Sequence, residues 1–212
     1  MAWGIGWGLL VVFIVMMFIT YAIFQETRAQ RHWRGLVAAG DLGAIRQILE
    51  AEVERWKTER MPKGVEASLW HGVQTVELLD VGAGFARVSC GAEGRYALSD
   101  GQRREVSGAL QEGMKLTVKL ADMLLYDVPN LRLGQVQIDV YTTFREAAGG
   151  ASQLCILSTL ARRSEVEDLD WENTPAEEIV AQLGGRFRTD AHGAPQPIEP
   201  LEIAAGPREP GG

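Results

Sequence analysis

From Trp3 to Phe24 the chain runs for 22 residues, WGIGWGLLVVFIVMMFITYAIF, without one charged side chain. No other feature restricts the fold as strongly. A helix of that length rises roughly 33 Å, which matches a hydrocarbon core of about 30 Å. In lipid the backbone must satisfy its own polar groups, so a single segment has to be helical. The sequence therefore predicts a transmembrane helix over residues 1–24. Trp3 and Trp7 at one end and Tyr21 at the other suit the two membrane–water interfaces. A cleaved secretory signal fits less well: no Lys or Arg precedes the run, the run is longer than a signal core, and no A-x-A site follows it.

Arg28, Arg31 and Arg34 follow the run with only Glu26 among them. The positive-inside rule then predicts a single-pass protein of the cell membrane, with its N-terminus outside and its C-terminal bulk in the cytoplasm. Gly4 and Gly8 form a GxxxG pair, through which a neighbouring helix could approach closely. The partners expected on this reading are the lipid bilayer and other membrane protein subunits.

Beyond the run, residues 25–60 read as a helical stalk or docking hairpin. Gly40 ends one helix and Asp41 caps the next, where Leu42, Ile45, Ile48, Leu49, Val53 and Trp56 recur at three- and four-residue steps. An α+β domain is placed at residues 65–188. Val73–Val81 and Phe85–Tyr96 look like a strand pair around Gly82-Ala83-Gly84. Residues 101–126 fit both periods; helix is favoured, starting from the S-x-x-Q box of Ser99 and Gln102. Val136, Ile138, Val140, Thr142 and Phe144 alternate with polar residues as a strand does, and Gln153–Arg163 returns beside it. Thr174, Pro175 and Glu177 predict the start of a last helix. The expected order is β-β-α-β-β-α, a small antiparallel sheet with helices on one face. Five of the eight prolines fall within residues 189–212, predicted as a disordered Pro/Gly-rich tail.

Composition narrows the function. The net charge of −7 lacks the basic footprint that a polyanion partner requires, so nucleic acid is not an expected ligand. No phosphate-binding loop and no G-x-S-x-G elbow occurs. The two cysteines, Cys90 and Cys155, lie far apart and read as small buried hydrophobes. Asp168-x-Asp170-x-Glu172 starts like a calcium loop but has Asn173 where glycine is needed and Ile179 where the bidentate glutamate belongs. No catalytic, cofactor or metal residues are assigned. The acidic run Glu167, Asp168, Asp170 around Trp171 is the candidate partner-binding edge, since tryptophan often anchors interfaces.

These features predict a non-enzymatic accessory or structural subunit of a larger membrane protein complex. Two alternatives are a membrane-tethered adaptor that holds a soluble protein partner through the acidic Trp171 edge, and an enzyme whose site gathers His71, Asp139 and Tyr141.

Overall fold

The computed structural model describes residues 13–21, 24, 35–37, 39–99, 102–145, 149–171 and 173–202. Helix α1, Leu42–Thr58, starts where Asp41 accepts hydrogen bonds from the backbone N–H of Gly43 and Ala44 at 2.9 and 3.1 Å. Its stripe Ile45, Leu49, Val53 and Trp56 is buried. Helix α1 is thus part of the domain, packed with helix α2 (Ala67–Gln74) and strand β1 (Glu77–Gly82), rather than a stalk below it. The reason is the stripe itself: four large apolar side chains on one face stabilise the chain only when removed from water.

Strand β2, Phe85–Gly91, turns back on β1 through Gly84, whose φ of +73° suits the tight connection. A separate hairpin of β3 (Arg95–Ser99) and β4 (Gln102–Ser107) precedes helix α3 (Ala109–Asp122), which ends in a π-helical turn over Met123–Asp127. Strands β5 (Gln135–Arg145) and β6 (Ala151–Arg162) are the long pair at the centre. The chain closes with helices α4 (Arg163–Val166) and α5 (Ala176–Gln182) and the short strand β7 (Arg186–Phe187). The five-stranded sheet has the order β1-β2-β5-β6-β7.

The sheet is mixed: β2 and β5 run parallel, in register from Phe85 with Gln135 to Gly91 with Tyr141. Two parallel strands need a crossover, and residues 92–134, carrying the β3–β4 hairpin and α3, supply it. This corrects the expected antiparallel β-β-α-β-β-α order. The predicted helix over 101–126 is half right, because Gln102–Ser107 is strand and the helix begins at Ala109. Helix α3 lies on the face formed by Val136, Ile138 and Val140; a Cβ on Gly113 would sit 3.1 Å from Val140 Cγ1.

The transmembrane helix expected at 1–24, and with it the single-pass topology and the cell-membrane location, is also corrected. Among the described residues no helix is long and apolar enough to cross a membrane. Of the expected span, residues 13–21 are described and form helix. Tyr21 lies in it and is exposed. Trp3, Gly4, Trp7, Gly8, Arg28, Arg31 and Arg34 lie outside the described residues.

Residues 189–202, expected as part of a disordered tail, lie against the sheet. Thr189 bridges Pro195, and the N–H groups of His192 and Ala194 bond Asp190 Oδ1 at 2.8 and 2.9 Å, closing a small turn at Gly193. From Gln196 onward the segment crosses the polar side of the sheet. Residues 203–212 lie outside the described residues.

Candidate functional site

Strand β5 alternates, so the residues between Val136, Ile138 and Val140 point to the face without helices. Those residues are Gln137, Asp139 and Tyr141. The parallel register sets Ser89 beside Asp139 and Arg87 beside Gln137, and the antiparallel register sets Ser158 of β6 beside Asp139. In the sequence this polar side reads as a solvent face, yet Gln137, Asp139 and Ser158 have no exposed surface.

Asp139 is the centre of the cluster. Its Oδ2 accepts from Nε of Arg87 at 2.7 Å and faces Arg87 Nη2 at 2.7 Å. Its Oδ1 accepts from the Ser158 hydroxyl at 2.5 Å and from Gln137 Nε2 at 2.9 Å. Four donors therefore meet one buried carboxylate, which is what a charge held out of water requires. The same amide nitrogen of Gln137 donates to the carbonyl of Leu201 at 2.9 Å, and the Leu201 N–H donates back to Ser158 Oγ at 2.9 Å. Gln137 Oε1 is buried with no hydrogen-bond partner.

Tyr141 and the two thiols lie around this cluster. Burial, with the Cys155 and Asp139 charges added, raises the Tyr141 hydroxyl pKa. Burial likewise pushes the Cys155 thiol up to about 11 and the Cys90 thiol further still. Both thiols are protonated at neutral pH, and the thiol is the unreactive form. Cys155 Sγ donates to the Leu157 carbonyl at 3.4 Å.

A second cluster joins α2, β3 and α3. Glu112, almost fully buried, accepts from the Ser68 hydroxyl at 3.0 Å and from Lys115 Nζ at 3.2 Å. Glu66 meets Arg95 at 3.1 Å and Lys115 at 3.7 Å. Burial pushes the Glu112 pKa up, but Ser107, Lys115 and Ser68 together outweigh it, and the net shift is down. A carboxyl with a lowered folded pKa adds stability above its unfolded value near 4.5, and that stability is lost as pH falls through the lower folded value. Glu112→Gln should thus cost about 1–3 kcal/mol at pH 7, where the charged form is bonded. The difference from the native chain should shrink steadily below pH 4.5. Urea unfolding at a series of pH values measures it, and a cost that does not change with pH would show that the charge is not what Glu112 contributes.

A groove of about 360 Å³ lies between α1 and the loop after the π-turn, with Ile48, Ala51 and Pro129 as its apolar walls. Glu52 at its edge is already bonded to Arg55 Nε at 2.6 Å.

The residues singled out from the sequence are only partly brought together. Glu167, Asp168 and Asp170 are exposed on the segment after α4. Trp171 is half-buried and packs on the core, its ring edge-on to Tyr126 at 6.3 Å, while the Arg163 guanidinium covers Tyr126 at 4.6 Å. Arg163 also donates to the carbonyls of Leu133 and Leu125, so this aromatic group fastens the π-turn to the end of β6. Trp171 is therefore a packing residue with one side left open, not a free anchor. Asp139 and Tyr141 do share a face, but His71 is exposed on α2, whose buried residues Trp70, Gly72 and Val73 point into the helical layer. The partners of Asp139 are Arg87, Gln137 and Ser158, and His71 is not among them.

Arg87, Gln137, Ser158 and Leu201 were not visible as a group in the sequence. Arg87 and Asp139 each stand on the polar side of an alternating strand, where a charge reads as solvated, so the sequence carries no signal of their burial. Among the described residues no three His, Cys, Asp or Glu side chains come together as a metal ion would need. No protein-family model, no curated protein and no solved structure matches the chain.

Proposed function

We propose that the chain is a non-catalytic accessory subunit of a larger protein assembly, and that it docks its acidic edge on a basic surface of a partner protein. One observation carries the reading. Glu167, Asp168, Glu177 and Glu178 are exposed on either side of Trp171, and among the described contacts none of the four has a cationic partner. In this stretch Glu165 pairs with Arg162 at 2.9 Å, and Asp170 accepts from Asn173. Like charges close along the chain repel one another, and a complementary surface relieves that repulsion while steering the encounter.

Zero-length coupling of carboxylates to lysines in the native assembly, followed by mapping of the joined peptides, tests where the partner sits. The joined carboxylates should fall between residues 165 and 178. The triple variant Glu167→Lys, Asp168→Lys, Glu177→Lys should slow association about tenfold or more and flatten its salt dependence, with an unchanged circular dichroism spectrum. Cross-links elsewhere on the domain, or association indifferent to the charge reversal, would remove the reading.

A further inference from the structure

The polar face of the sheet is covered by the chain itself, and the cover is built like a bound peptide. Residues 194–202 read Ala-Pro-Gln-Pro-Ile-Glu-Pro-Leu-Glu. None of their side chains is buried, whereas Gln137, Asp139 and Ser158 beneath them are fully so. Contact runs through the backbone. The Ile198 N–H donates to the Cys155 carbonyl at 2.9 Å, the Leu201 N–H to Ser158 Oγ at 2.9 Å, and the Leu201 carbonyl accepts from Gln137 Nε2 at 2.9 Å. Groups that read the N–H and the carbonyl of one residue recognise an extended chain more than any one side chain. Pro195, Pro197 and Pro200 hold φ near −65°, which lowers the entropy such a segment loses on docking. Because it buries no side chain of its own, the segment can lift away without opening the apolar core.

A second observation points to a ligand. Gln137 Oε1, on the same amide group that holds Leu201, is buried and has no partner. Buried acceptors are nearly always satisfied, and the complement of this one is a further N–H from an extended chain. The chain's own segment does not supply it.

We propose that the Gln137–Ser158 face of β5 and β6 is a peptide-recognition surface for an extended, proline-interrupted segment of a partner protein, and that residues 194–202 occupy it in cis as a displaceable stand-in. The apparent affinity for the partner segment is then the intrinsic one reduced by the fraction of molecules with the cis segment lifted. The surface is separate from the acidic edge, so charge reversal at Glu167, Asp168 and Glu177 leaves it unchanged.

Hydrogen exchange on the intact chain is the first arm of the test. The amides of Ile198 and Leu201 should exchange at least about 100-fold faster than those of Ile138 and Val140, because lifting the segment is a local opening. Equal protection would make the segment an inseparable part of the domain and overturn the proposal. The second arm titrates full-length protein with a fluorescent peptide of sequence APQPIEPLE. The variant Ile198→Gly, Leu201→Gly, which loosens the cis segment without touching the face below it, should bind the peptide about tenfold or more tightly than the native chain. Adding Ser158→Ala to that variant should remove the gain. Equal or undetectable binding to native and loosened chains overturns the proposal, and a dimer formed by exchanging the segment between copies would assign the face to a second copy instead.

Discussion

Replacing Arg87 with methionine should destabilise the domain by about 3 kcal/mol or more, one of the two largest effects expected of any single substitution here. Asp139 is fully buried, and Arg87 provides both of the cationic contacts to its Oδ2. Removing one member of a buried ion pair leaves an uncompensated charge, which typically costs about 3–5 kcal/mol. Arg87 itself keeps about a third of its side chain in water, so the penalty falls on Asp139. Urea unfolding of the native chain and of Arg87→Met measures the loss. The double variant Arg87→Met, Asp139→Leu should recover a good part of it, because no buried charge is then left bare. A single-variant loss below about 1 kcal/mol would be a surface ion pair's worth, and would show that water reaches Asp139.

Trp56→Ala is the second, with an expected loss of about 3–5 kcal/mol from the vacated volume and the lost transfer of the indole from water. Trp56 is 2% exposed, and its neighbours on the stripe, Ile45 and Leu49, are as deeply buried. The same denaturation experiment decides between two places for helix α1. If α1 belongs to the domain, the midpoint falls and the transition stays single. If α1 were a stalk standing apart from the sheet, as its position in the sequence suggested, the variant would unfold within about 1 kcal/mol of the native chain.

Several elements were legible because a period of 3.6 or 2 survives in the letters. The cap at Asp41 and the stripe from Ile45 to Trp56 gave α1 nearly to the residue. The alternation from Val136 to Phe144 gave β5. Strand β6 shows where legibility stops: opposite Val140 and Tyr141 the register slips, Ile156 is the extra residue, and Cys155 to Thr159 are buried without a break. A bulge erases the two-residue period that a reader of sequence depends on. Residues 101–107 failed for another reason, since Gln102–Ser107 is strand only through its pairing with Arg95–Ser99. Strand propensity depends on such neighbours more than helix propensity does.

For residues 189–202 the entropy balance read from the sequence points the wrong way. Few large apolar residues follow Thr189, so burial there could not offset ordering. Prolines lower that ordering cost in advance, and the backbone groups of Ile198 and Leu201 find partners on the sheet. Those partners come from β5 and β6, more than 40 positions away, and no local pattern announces them.

By itself, the sequence determined what each residue could do within its own turn of chain: the cap at Asp41, the apolar stripe of α1, the two faces of β5. Tertiary structure alone decided that the polar face of β5 is interior at Gln137 and Asp139. That depends on the parallel pairing that brings in Arg87, on Ser158 across the β6 register, and on the later segment whose Leu201 bonds Gln137 and Ser158. A charge in mid-strand is stable only when distant residues supply its donors, and distance along the chain carries no trace of distance in space.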